Sequence, residues 1–161
     1  MMEIKKHPDR GILYCYLGRI SLKETRYNDA IKCLEGALKK KLSPAEKAMI
    51  YNELGNCYNK KNKISRAVDY YRRAAAITKD GASSINSLGQ ICFNGREFEK
   101  ARQYFEMAAA GRPDSAEYAR NLANAYLMLD DTGKACEYWK KSLKINRDQP
   151  DVRDFLTRYE R

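Results

Sequence analysis

The sequence predicts an all-α fold: a solenoid of stacked antiparallel helix pairs closed by a short C-terminal helix. Three observations predict it. One pattern of apolar and small residues recurs around Gly18, Gly55, Gly89 and Ala123, the first step slightly longer than the two equal steps after it. A fixed period of this length marks a stacked repeat array. Within each copy the apolar residues fall three or four positions apart, which draws one stripe along a helix. Third, no period-2 run of β-branched residues is long enough for a strand.

The elements follow in order. Helices are expected near 10–23, 27–41, 44–61, 64–78, 82–94, 98–110, 114–129 and 133–146. Ser43-Pro44 reads as an N-cap followed by proline in the first turn, with Glu46 behind it. Asp80-Gly81 and Asn94-Gly95 read as helix ends, and Gly111, followed closely by Pro113, as a third. A last helix near 151–159 (Val152, Phe155, Leu156, Tyr159) reads as a cap, because a terminal repeat has no neighbour to cover its apolar face. Glycine and alanine let paired helices approach closely. A large residue at Ala67 or Ala101 would overpack the crossing at a cost of about 1–3 kcal/mol.

The residues within the copies carry a family resemblance. The second copy reads Tyr51, Leu54-Gly55, Tyr58, Ala67, Tyr71, Ala74. The third reads Ile85, Leu88-Gly89, Cys92, Ala101, Phe105, Ala108, Pro113. The first (Tyr14, Leu17-Gly18, Ala30, Leu34, Ala37, Pro44) and the fourth (Ala119, Leu122-Ala123, Tyr126, Ala135, Trp139, Ser142) are in register with them. This resembles the tetratricopeptide repeat. The resemblance implies a right-handed superhelical array in one domain over 1–161, with repeats at about 11–44, 48–81, 82–115 and 116–149 and a cap at about 150–161. Ser21, Ala123 and Ser142 depart from the family pattern and point to looser packing in the end repeats.

Composition narrows the function classes. The chain has 161 residues and a formal net charge of +10, with 31 Lys and Arg against 21 Asp and Glu. Basic clusters lie at Lys39-Lys40-Lys41, Lys60-Lys61-Lys63, Arg72-Arg73 and Lys140-Lys141, several near expected helix C-termini, where cations complement the helix dipole. Such a balance also attracts acidic partners. No aromatic–basic interleaving of a known nucleic-acid module stands out. Cys15, Cys33, Cys57, Cys92 and Cys136 form no C-x-x-C pair, and each falls in an expected helix. They read as buried, reduced thiols of a cytoplasmic protein. His7 is the only histidine, so neither a zinc site nor a Ser–His or Cys–His catalytic arrangement is expected. No Gly-rich phosphate loop is present, no segment approaches the ~20 apolar residues of a membrane span, and residues 1–8 lack a secretory apolar core. The expectation is a non-enzyme with no cofactor, metal or membrane span.

By the family resemblance, the first helix of each repeat lines a concave groove in which partners lie. The groove-facing candidates are Arg19, Asn52, Asn56, Asn86, Gln90, Arg120, Asn121 and Asn124. Asn56, Gln90 and Asn124 hold matched positions, with Asn52 and Asn86 one turn before the first two. Asparagine is a mediocre helix former, so its recurrence asks for a reason. A side-chain amide both donates and accepts, and can pair with the N–H and C=O of an extended peptide. The leading reading is an adaptor or scaffold that holds an extended segment of another protein on an Asn/Gln ladder. The alternative is a basic nucleic-acid-binding or self-associating helical repeat. On the ladder reading, Asn56→Ala with Asn124→Ala removes partner capture and leaves the melting temperature nearly unchanged.

The clamp that some family members use for acidic chaperone tails is not expected. On the first three repeats it falls on Cys15, Arg19, Glu53, Ser83 and Ser87. On the last three it falls on Asn52, Asn56, Ser87, Glu117 and Asn121. Lysine and arginine are mostly missing where charge is needed, and Glu53 or Glu117 would repel a carboxylate. Along the second helices, Cys33, Tyr70, Tyr104 and Tyr138 form a matched column expected to pack half-buried between neighbours.

Overall fold

The computed structural model describes residues 26–77 and 81–159. Among them are eight helices and no strand. In order they are α1 (Tyr27–Leu38), α2 (Pro44–Lys60), α3 (Ile64–Ile77), α4 (Ala82–Asn94), α5 (Phe98–Gly111), α6 (Ala116–Met128), α7 (Thr132–Ile145) and α8 (Pro150–Tyr159). The helix expected over 10–23, with Cys15 and Arg19, lies outside the described residues, as does His7. The other boundaries agree with the apolar period to within a single turn.

The chain divides into two compact units, residues 1–78 and 79–161. In the first, α2 packs against both α1 and α3. Its interior holds Ala30, Leu34 and Ala37 from α1, Ile50, Leu54 and Cys57 from α2, and Ala67, Tyr71 and Ala74 from α3. The second unit buries one continuous core running from Ala82 of α4 to Leu156 of α8, with Trp139 and Phe105 as its largest fully buried side chains. The alanines expected at the crossings, Ala67, Ala101 and Ala135, are fully buried.

The recurrent glycine has a specific steric task. A Cβ on Gly55 would lie 2.6 Å from ring carbons of Tyr71, and one on Gly89 would lie 2.6 Å from ring carbons of Phe105. In each pair the first helix gives up its side chain so that the second can lay an aromatic ring on its backbone.

The turns inside the repeats are not made by left-handed glycines. No glycine among the described residues has positive φ. The left-handed positions are Asn62 (φ 55), Arg96 (φ 62) and Asp130 (φ 61), each one full repeat from the next. Every one sits in the same C-terminal motif. In the first, Lys63 N–H donates to Tyr58 C=O and Asn62 N–H to Asn59 C=O. The pairs Glu97–Cys92 with Arg96–Phe93, and Asp131–Tyr126 with Asp130–Leu127, repeat it. These are Schellman turns, which satisfy the last carbonyls of a helix. Asn94-Gly95 ends α4 as expected, with Gly95 in ordinary helical φ at the C-cap, whereas Gly81 caps the start of that helix. Gly111 closes α5 as expected, and a Cβ there would come within 3.3 Å of the Ala82 Cβ.

Two signals at helix ends hold. Ser43 and Glu46 form a reciprocal capping box with Pro44 in the first turn of α2. At the C-terminal end α8 docks on α7: Trp139 stacks on Phe155 at 5.1 Å and meets Tyr159 at 6.0 Å, while Val152 and Leu156 are buried. Ser142 loosens nothing. It is fully buried, and its hydroxyl lies 2.7 Å from the Ala116 carbonyl and 3.0 Å from Gln149 Oε1. Gln149 Nε2 in turn donates to the carbonyls of Ser142 (3.1 Å) and Asn146 (2.8 Å). A buried, bonded amide thus fixes the turn that brings α8 back onto the core.

Candidate functional site

Most of the amide column is half-buried, and much of it faces inward. On α2, Asn56 accepts a hydrogen bond from the Tyr71 hydroxyl at 2.7 Å and donates to Glu53 at 3.1 Å. On α6, Asn124 accepts from the Trp139 indole N–H at 3.1 Å. Both bonds run from the first helix of a repeat to the buried aromatic of its second, at the same sequence separation. In the intervening repeat that aromatic is Phe105, which has no donor. There the matched residue is Gln90, and it donates one turn along its own helix to Asn94 at 3.0 Å. An asparagine oxygen therefore recurs where the buried ring carries an N–H or O–H. A buried donor must find an acceptor.

This changes the expectation for the double alanine variant. The Trp139 side chain is fully buried, so Asn124→Ala strands its indole N–H at a cost of about 1–3 kcal/mol. Gln90→Ala removes only a local bond near the surface and is expected to stay within ~0.5 kcal/mol of wild type. Thermal melts of the two single variants check this contrast.

The second unit brings several candidates onto α4 and α6. Asn121 of α6 donates to Asn86 of α4 at 3.0 Å, and Asn86 donates back to Glu117 of α6 at 3.3 Å. Asn86 is buried and thus mainly ties two first helices together. Arg120 lies 3.6 Å from Asp151 of α8, a partly exposed pair. Such a pair contributes little to stability and is open to exchange for another carboxylate. Glu117 and Asp151 did not enter the sequence-based site. Only the docking of α8 shows that Asp151 reaches Arg120. Asn52 and Asn56 belong to α2 of the first unit, and Arg19 lies outside the described residues.

A distinct motif joins the first and second helices of a repeat. Tyr58 and Tyr70 stack at 5.4 Å, with Arg66 over the Tyr58 ring and Arg73 over the Tyr70 ring. The same motif recurs two repeats later: Tyr126 and Tyr138 stack at 5.6 Å, with Lys134 over the first ring and Lys141 over the second. The Tyr126 hydroxyl donates to Glu106 at 2.5 Å. Burial, and then this bond, push its pKa up to about 12. Tyr70, Tyr104 and Tyr138 are half-buried, as the column predicts. Arg72 and Arg73 stand before the last turn of α3, so dipole pairing does not account for them; Arg73 covers a ring instead.

The cysteines divide into two classes. Cys57 and Cys136 are buried, whereas Cys33 and Cys92 are only partly so, which corrects the expectation of uniformly buried thiols. Cys15 lies outside the described residues. Burial, with Glu53 nearby, pushes the Cys57 thiol up to about 12. Its stabilising contribution is therefore complete below its ordinary value of 9.0 and is lost as pH rises toward 12. At mildly alkaline pH a thiol reagent is expected to label Cys33 and Cys92 in the folded protein and to spare Cys57 until unfolding. Mass spectrometry of a labelling time course reads this directly. Among the described residues, no group of His, Cys, Asp and Glu is arranged to hold a metal ion, and no helix is long and apolar enough to cross a membrane.

Comparison with known proteins agrees with this geometry. The profile described as the SusR N-terminal TPR domain matches residues 6–112, and a tetratricopeptide repeat profile matches residues 86–150. The type IV pilus assembly protein PilF of Pseudomonas aeruginosa is 31% identical over 88 residues, covering 53% of this chain and 35% of PilF. The human protein O-mannosyl-transferase TMTC1 is 29% identical over 118 residues, covering 71% of this chain and 13% of that protein. The chain thus spans about a third or less of these curated relatives. A solved structure of Pseudomonas aeruginosa PilF superposes with a TM-score of 0.81 at 26% identity, over 93% of this chain and 69% of that one. The first TPR of Spaghetti (RPAP3), solved bound to the HSP90 peptide SRMEEVD, shares the fold with a TM-score of 0.68 at 18% identity, over 72% of this chain and 92% of that one. The profile match over most of the chain, the common register of ring, glycine and left-handed turn, and the shared all-α solenoid fold place this protein in the tetratricopeptide repeat family.

Proposed function

We propose that this chain is a non-enzymatic protein-interaction module that holds an extended segment of another protein along its first helices, as an adaptor or scaffold. The observation that carries the reading is the polar lining of α4 and α6. Gln90, Asn121 and Arg120 are partly accessible there, beside a buried Asn86 that keeps the two helices in register. Gln90 offers a donor and an acceptor to a peptide backbone. Arg120 is occupied by Asp151 only through a weak pair, so an acidic side chain of the partner takes its place. Asn56 and Asn124 contribute as much to holding their repeats closed as to any ligand, so they are poor probes of binding.

The test uses residues whose own contacts contribute little to the fold. Affinity capture from nuclease-treated lysate is compared for wild type and Gln90→Ala with Arg120→Ala. The expected result is that captured protein is lost while the melting curve is unchanged. Undiminished capture by the variant, or capture that disappears with nuclease, would overturn the reading.

A further inference from the structure

The first unit holds a basic cleft separate from the amide column. A volume of about 350 Å³ opens between α1, the C-terminal end of α2 and the start of α3. Among the described residues, Lys32, Lys61, Lys63 and Arg66 surround it together with Asn28; Ile31 and Tyr58 form its floor, and no carboxylate lines it. Tyr58 follows Asn56 by two positions, about 200° around α2, so the cleft and the amide column occupy different sides of that helix.

The fold engages two of these cations: Lys61 bonds Asn28, and Arg66 lies over the Tyr58 ring. Lys61 sits at the C-cap of α2, where positive charge suits the dipole. Lys63 and Arg66 sit at the N-terminal end of α3, where positive charge opposes it, and that turn has no acidic residue. Among the described residues, Lys32, Lys63 and Arg66 pair with no carboxylate within salt-bridge distance. Four like charges around one cleft repel one another, so an anion entering it relieves that repulsion.

We infer that this cleft binds a carboxylate-rich protein segment. Its carboxylates meet the lysines, while Ile31 and Tyr58, both buried, close the bottom of the cleft. The floor also argues against a single-stranded nucleic acid. Nucleic acids of that kind bind by stacking bases on open aromatic faces. The Tyr58 ring is already engaged, by Tyr70 at 5.4 Å and by Arg66 at 5.4 Å.

The test is fluorescence anisotropy with a labelled short peptide of glutamates and aspartates, at low salt, where surface charges are incompletely screened. Lys32→Glu with Lys63→Glu takes the four positive charges of the cleft to a net charge of zero without touching an aromatic ring. Lys140→Glu with Lys144→Glu makes the same charge change on α7. The expected result is binding weakened about tenfold or more by the first pair and about twofold or less by the second. Equal loss in both variants, no peptide binding by the wild type, or displacement of the peptide by a short thymidine strand would each overturn the inference. The groove variant Gln90→Ala with Arg120→Ala is expected to leave this binding intact, so the two sites fail or hold separately.

Discussion

Trp139→Ala is expected to destabilise the protein by about 3–5 kcal/mol, the largest effect of any single truncation in the second unit. The indole is fully buried and connects three helices. It donates to Asn124 of α6, stacks on Phe155 and meets the tilted ring of Tyr159, both of α8, from its own place on α7. Removing it opens a cavity, unpairs an amide and takes away the surface on which the cap docks. Denaturant unfolding gives the total, and hydrogen exchange of α8 locates it: the cap's amides lose protection first. Trp139→Phe keeps a ring in place, as Phe105 does one repeat earlier, and recovers more than half of the loss. A cost within ~1 kcal/mol for the alanine variant, at the floor of what buried truncations give, would mean that α8 is held by something else.

The second large effect comes from adding one carbon. At Gly89 a Cβ would lie 2.6 Å from Cδ1 and Cε1 of Phe105, a ring that is 1% exposed and has nowhere to move. Gly89→Ala is expected to cost about 1–3 kcal/mol through overpacking, even after the ~1 kcal/mol that alanine gains in helix propensity. Gly36, near the C-terminal end of α1, has nothing within 4 Å of the same added carbon. Gly36→Ala should therefore stabilise by about 0.5–1 kcal/mol. The same substitution has opposite signs at two helical glycines, and paired thermal melts decide it. The fourth repeat shows what the architecture does when the glycine is absent: Ala123 and Trp139 are both fully buried there.

The helices were legible because periodicity is local. Apolar spacing located every described helix, and Ser43-Pro44 located the start of α2. The left-handed turn residues were not, because glycine propensity points to Gly95 while the hydrogen-bond pattern of the Schellman turn selects Arg96, its neighbour. Nor was the task of the amides. Asparagine at matched positions reads as a ligand ladder until the buried aromatic of the paired helix is considered. The signal was present in the sequence: Asn56 accompanies Tyr71, Asn124 accompanies Trp139, and Gln90 accompanies Phe105, the one ring of the three without a donor. Ser142 read as a weakened packing position, because its partner Gln149 lies in the turn to the cap. The cation–tyrosine stacks pair rings from two helices of one repeat with charges on the second helix, a relation that no single spacing displays.

The most direct test of binding along the first helices is hydrogen–deuterium exchange of the chain alone and in complex with the protein it captures. Such binding predicts new protection on α4 and α6, centred on Gln90, Asn121 and Arg120, with little change on α5 and α7. Protection confined to α5 and α7, or no protection on any first helix, would contradict it.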